Sequence, residues 1–79
     1  MRYVYILESL AHANSFYVGV TGDLRARLIR HNKGEVAHTS KHLPWRIKTY
    51  LAFANEDQAF SFEKYLKTAS GRAFAKKRL

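Results

Sequence analysis

No apolar run in this sequence is longer than five residues. The two longest are residues 3–7 (Tyr-Val-Tyr-Ile-Leu) and residues 50–54 (Tyr-Leu-Ala-Phe-Ala). A membrane span needs about 20 apolar residues and a signal-peptide core at least about 7, so neither is expected, and no membrane partner. Such short runs must be strands, or helix faces packed on one another. The 79 residues suit one domain, and 47% apolar composition with eleven aromatic side chains suffices for a small core. Roughly 1.5 kcal/mol of conformational entropy is lost per ordered residue. Little stability is left over, and any buried charge needs an explanation. There is no cysteine. Disulfides, thiolate metal sites and a cysteine nucleophile are therefore excluded, and a cytoplasmic location is expected.

Residues 3–7 and 16–20 are β-branched and aromatic and read as strands. Polar residues 8–15, centred on Asn14-Ser15, read as the long loop of an antiparallel hairpin. Thr21-Gly22-Asp23 opens a helix that should run to about His31 and stop at Asn32-Lys33-Gly34. Residues 35–43 are polar, precede Pro44 and read as a loop. Residues 45–53 alternate, which predicts a strand with Trp45, Ile47, Leu51 and Phe53 on one side. Asn55 with Gln58 three residues on forms a capping box. The helix it starts should end near Ser70, with Gly71 just past its C-cap. Its inward stripe reads Ala59, Phe62, Glu63, Leu66 and Ser70. A short basic helix over 72–79 should turn Phe74 inward. The order β-β-α-β-α-α predicts an α+β domain: a three-stranded antiparallel sheet with flanking helices.

Lys and Arg number 14 against 6 Asp and Glu, a net charge of +8 and an isoelectric point near 10.1. On so small a domain this points to a polyanion, nucleic acid before an anionic membrane, with plain solubility as the bland reading.

Several residues break the bland pattern. Glu63 falls inside an apolar stripe, where a carboxylate is rare unless paired or metal-bound. An ion pair with an Arg is the structural explanation, a functional site the other. Arg27 and His31 are four apart and share a helix face with Leu24 and Leu28, while Arg25 and Arg30 fall outside it. An Arg suits a phosphate because its planar fork binds two oxygens, and a nearby His can donate to the same group or move a proton. Solvated surface roles are the alternative for both. Tyr5 and Tyr17 lie mid-strand in neighbouring strands, so their hydroxyls can share a face, though Tyr is also simply a good strand residue. Gly19 lies inside a strand, which marks a bulge or a close approach to the backbone. His12, His38 and His42 share no ligand spacing with Asp or Glu and read as surface residues.

Taken together these residues resemble the GIY-YIG nuclease domain. Tyr3-Val4-Tyr5 matches its first motif and Tyr17-Val18-Gly19 its second. Residues 23–28 followed by His31-Asn32-Lys33-Gly34 match its Arg-bearing helix. Glu63 stands where the family has its metal-binding glutamate. The segment from Thr39 through Pro44 into the strand over 45–53 is similar to the small stand-alone bacterial members. These resemble in turn the N-terminal nuclease domain of the bacterial excision-repair incision protein. The likeness covers nearly the whole chain. One departure is Tyr3, which replaces the family's first glycine beside the site and is expected to narrow it. Larger members carry a separate DNA-recognition domain, and none is expected here.

The resemblance implies a metal-dependent endonuclease hydrolysing phosphodiester bonds in DNA, duplex or branched, in repair or recombination. A protein partner supplying substrate recognition is one way such a chain could work. Glu63 would hold one divalent cation, Mg²⁺ or Mn²⁺, with water completing its shell. Arg27 would steady charge on the scissile phosphate, and Tyr17 would position a phosphate oxygen or the attacking water. Tyr5 or His31 would help remove that water's proton. Half-ionising a free Tyr at pH 7 takes about 4 kcal/mol, so the choice between them stays open. Arg25, Arg30, Lys33, Lys41 and Lys67 are the candidate nucleic-acid contacts. Two other readings compete: a non-catalytic nucleic-acid-binding module on the same fold, and a basic domain docking on an acidic protein.

Overall fold

Four consecutive residues, Val4, Tyr5, Ile6 and Leu7, are each no more than 4% exposed. A strand can bury every residue only if both its faces are covered. Strand β1 (Arg2–Ser9) is the middle strand of a three-stranded sheet, between β2 (Phe16–Thr21) and β3 (Trp45–Phe53), both antiparallel to it. Helices α1 (Leu24–Asn32), α2 (Glu56–Leu66) and α3 (Ala69–Arg78) complete the chain. The computed structural model describes residues 1–79. The order is the expected β-β-α-β-α-α, an α+β fold. No helix is long and apolar enough to cross a membrane.

The pleat of β1 divides the interior into two cores. Val4 and Ile6 face α2 and pack with Ala59 and Leu66, flanked by Val18, Val20, Phe53 and Phe62. Tyr5 and Leu7 face the other way and pack with Trp45, flanked by Tyr17, Leu24, Leu28, Leu43 and Ile47. The α1 helix therefore covers one face and α2 the other. Each fully buried large apolar side chain contributes roughly 1.5–3 kcal/mol.

Three expectations change. Strand β3 does not keep Trp45, Ile47, Leu51 and Phe53 on one side. Its register with β1 slips between Ile6↔Thr49 and Leu7↔Ile47, which leaves Lys48 as an extra residue. A bulge of this kind inverts the alternation, so Ile47 joins the α1-side core and Phe53 the α2-side core. Helix α2 ends at Leu66 rather than near Ser70. Thr68 takes over as N-cap of α3, its hydroxyl accepting from the Gly71 amide at 3.0 Å. Gly71 is thus inside α3, and Ser70 is exposed. Finally, Phe74 is 37% exposed, with its ring edge-on to Phe62 and tilted against Tyr65, whereas Ala75 and Leu79 reach the core.

Candidate active site

Helix α1 is built to aim two polar side chains at the sheet. Asp23 caps it, accepting from the Ala26 amide at 3.0 Å. Leu24 and Leu28 anchor it to the core, which turns Arg27 and His31 inward on the same face. The helix ends at Asn32, and Gly34 follows at φ 75°, a left-handed conformation that favours glycine. The chain then folds back over His31. Asn32 clamps Trp45 from both sides, accepting its amide at 2.7 Å and donating to its carbonyl at 3.0 Å. The Trp45 indole donates to the Thr39 carbonyl at 2.8 Å. Thr39 is thereby fixed against His31, and both are fully buried.

The result is a directed chain of hydrogen bonds. The Thr39 hydroxyl lies 3.3 Å from the Val36 carbonyl, and we assign its single proton there. Thr39 Oγ1 therefore accepts from His31 Nδ1–H at 2.8 Å. That tautomer leaves a lone pair on Nε2, which accepts from the Tyr5 hydroxyl at 3.0 Å. Arg27 Nε donates to the same Tyr5 oxygen at 3.2 Å. Tyr17 completes the cluster, with its ring 4.9 Å from the His31 ring and 6.3 Å from that of Tyr5. Gly19 makes room for it. It pairs with Tyr5 across the sheet, and a Cβ there would stand 2.6 Å from Tyr5 Cζ and 3.0 Å from Tyr17 Cε2. Of the two readings of Gly19, close approach is the correct one.

Electrostatics follow from this packing. Burial pushes the Tyr5 phenol above its ordinary value, and the Arg27 hydrogen bond and charge pull part of the way back. Burial pushes the His31 imidazole down to about 4, with the Arg27 and Arg30 charges acting in the same direction. His31 is neutral at pH 7 and can accept a proton. The Tyr5 hydrogen bond raises Arg27, and Tyr17 adds to this. No carboxylate pairs with Arg27.

Glu63 does not join the chain. It lies on α2, which covers the opposite face of the sheet, and its Oε2 pairs with Lys67 Nζ at 2.6 Å. Its side chain is 15% exposed, and its charge raises the Tyr5 pKa slightly further. No group of three His, Cys, Asp or Glu side chains surrounds it. A lone hard carboxylate fits Mg²⁺ or Mn²⁺, which bind through one or two carboxylates plus water and phosphate. Lys67 must leave for an ion to enter, and its side chain is half exposed and able to do so. Of the other candidates, Arg25, Lys33 and Lys41 are exposed. Arg30 is exposed too and pairs with Glu35 at 3.6 Å. Tyr3 packs its ring edge-on against Tyr50 of β3, at 6.0 Å, instead of against Tyr5 or Tyr17. His42 is not a plain surface residue, because its Nδ1 is buried and its ring lies between His12 and Trp45. Thr39 and Asn32, which with Trp45 orient His31, carry no periodic signal for that role in the sequence. The only hint is a Trp directly after a proline at a strand start.

Comparison with known proteins identifies the family of the chain. The chain is 41% identical over 66 residues to a UPF0213 protein of Lacticaseibacillus paracasei, covering 82% of this chain and 72% of that one. It is 39% identical over 66 residues to a UPF0213 protein of Streptococcus pneumoniae, and the match spans 65% of the pneumococcal protein's length. The solution NMR structure of a UPF0213 protein from Bacillus halodurans superimposes with a TM-score of 0.57 at 32% identity, over 96% of this chain and 81% of that one. The family model described as the GIY-YIG catalytic domain, a nuclease domain that generally uses divalent metal ions, matches residues 1–78. This chain belongs to the GIY-YIG domain family.

Proposed function

We propose that this chain is an endonuclease that hydrolyses phosphodiester bonds in DNA with one Mg²⁺ or Mn²⁺ held at Glu63. The observation that carries the reading is the buried chain Arg27–Tyr5–His31–Thr39. Tyr5 is 1% exposed, yet its hydroxyl is held between a guanidinium and a neutral imidazole. A Phe would fill the same core space without these partners, so the oxygen is the feature that calls for a function.

The chemistry needs no free phenolate. The Tyr5 oxygen donates its proton to His31 Nε2 while taking one from the attacking water. The water oxygen forms the new bond to phosphorus, the bond to the leaving oxygen breaks, that oxygen takes a proton from solvent, and His31 afterwards releases its extra proton to solvent. His31 starts neutral, as its lowered pKa requires, and Thr39 holds its tautomer. Both Tyr5 and His31 then serve the base role, in series. Arg27, unpaired with any carboxylate, directs its remaining N–H groups at phosphate oxygens. Tyr17 borders the same space and orients the phosphate or the water. A bound divalent ion supplies Lewis-acid charge on the phosphate. By family likeness we assign the reaction to DNA repair or recombination.

The closed Glu63–Lys67 pair favours a second reading, a nucleic-acid-binding module without catalysis. Cleavage of a panel of linear, nicked and branched DNAs with Mg²⁺, Mn²⁺ or EDTA tests the choice. The nuclease reading expects metal-dependent cutting of at least one substrate, reduced by orders of magnitude in Glu63→Gln. Binding without cutting under every condition supports the module.

A further inference from the structure

A groove of about 820 Å³ runs beside β2, and the chemistry above uses none of its basic walls. Its floor is apolar, built from the sheet and from α2 and α3. Its walls carry four cations, Lys48, Lys67, Arg72 and Lys76. No Asp or Glu lines it, although Glu63 holds Lys67 at one side. Phe16 leaves its ring 50% exposed there, at the start of edge strand β2, with Lys48 Nζ 5.3 Å from the ring centroid. Tyr17 comes directly after it, lining the groove while its ring contacts His31. The groove therefore leads around the β2 edge to the candidate active site.

We propose that this groove binds an unpaired nucleic-acid strand adjoining the phosphodiester to be cut, with a base stacked on Phe16 and phosphates on Lys48, Arg72 and Lys76. The chemical fit selects the occupant. A duplex presents phosphates but keeps its bases stacked inside, so it would satisfy the cations and leave the ring and the apolar floor uncovered. An unpaired strand offers base faces and phosphates together, the combination that binds aromatic platforms in basic grooves. The volume also lies within the roughly 300–1,000 Å³ typical of small-ligand sites. The inference rests on the nuclease reading for the class of polymer and adds the structure of the substrate.

The test compares a blunt duplex with the same duplex carrying a 3′ or a 5′ single-stranded extension. Fluorescence anisotropy in EDTA at one fixed salt concentration gives affinities for wild type, Phe16→Ala and Lys76→Glu. Both positions are exposed, and a melting curve on each variant verifies folding. One extension should tighten wild-type binding about tenfold or more. Phe16→Ala should remove roughly fivefold of that gain and leave blunt-duplex affinity unchanged. Lys76→Glu should weaken the extended substrate more than the blunt one. Equal affinity for all three DNAs, or an equal loss on all three in Phe16→Ala, overturns the groove assignment. The same DNAs incubated with Mn²⁺ separate the two claims. Cutting without preference for an extension sinks the groove and leaves the nuclease. Extension-dependent binding without any cutting supports the groove and sinks the nuclease. No binding to any of them sinks both.

Discussion

The hydroxyl of Tyr5 is the residue-scale fact on which the rest depends, and Gly19 is what permits it. The Tyr5 ring lies against the backbone of Gly19 in the neighbouring strand. Gly19→Ala puts a methyl group into that ring, and the ring is pinned by the core. We expect a loss of roughly 1–3 kcal/mol of stability, the usual cost of overpacking. Cleavage should fall further than unfolding explains, because the hydroxyl must leave Arg27 and His31. Thermal melting beside a cleavage rate checks this, and unchanged activity in a destabilised variant would count against it. His31 makes a separate prediction. Its folded pKa is near 4, below the ordinary 6.5. The unfolded chain therefore binds the extra proton first, and stability is lost as pH falls from about 6.5 towards 4, by up to ~3 kcal/mol. Above that window His31 contributes no slope. Urea unfolding of wild type and His31→Gln at several pH values reads this out, since the variant should lack the part of the slope lying between pH 5 and 6.5. Parallel slopes would refute the assignment. Residue identity makes Tyr5, Arg27 and Gly19 visible in the sequence, through a strand position, a helix face and a glycine out of place. Thr39 is invisible there, because it acts through a loop closed by long-range bonds from Trp45 and Asn32.

At the scale of elements, the order, the capping residues of α1 and α2 and the central strand are legible from periodicity and caps. Two joints are not. Alternation in β3 cannot reveal the extra residue at Lys48, because a bulge changes which face the later residues occupy without changing their pattern of residue types. The end of α2 is hidden because Gly71 reads as a helix stop. It is instead a contact point. A Cβ there would stand 2.5 Å from the Tyr65 carbonyl carbon, closer still to its oxygen, and 2.7 Å from Leu66 Cα. These are backbone atoms and cannot swing aside. Intrinsic propensity alone favours Ala over Gly by about 1 kcal/mol in a helix. Here the clash must win, because α3 has to move off α2 and withdraw Ala75 and Leu79 from the core. Gly71→Ala should therefore lower the melting temperature, by roughly 4–8 °C for each kcal/mol lost in a domain this small. A raised melting temperature would contradict the close approach.

The whole molecule places its chemistry at the seam between two cores. The α1 face holds the buried hydrogen-bond chain, the α2 face holds Glu63, and the sheet with its β2 edge lies between them. All five candidate residues are visible in the sequence, but which of them share hydrogen bonds is not. A helical wheel shows which face a residue occupies and not which side of the sheet its helix covers. The net charge of +8 supplies a long-range pull on a polyanion, and the unpaired Arg27 supplies a local one. The proposed catalysis turns on the Tyr5 oxygen taking the proton of the attacking water. Single-turnover cleavage of a DNA cut by the wild-type protein, with Mn²⁺, probes that step when repeated with Tyr5→Phe. The ring is kept and only the oxygen is removed. The rate should fall by at least about 100-fold, while DNA affinity in EDTA changes little and the melting curve remains that of a folded protein. A folded Tyr5→Phe protein that cuts within a few-fold of wild type would show that the Tyr5 oxygen does not take that proton.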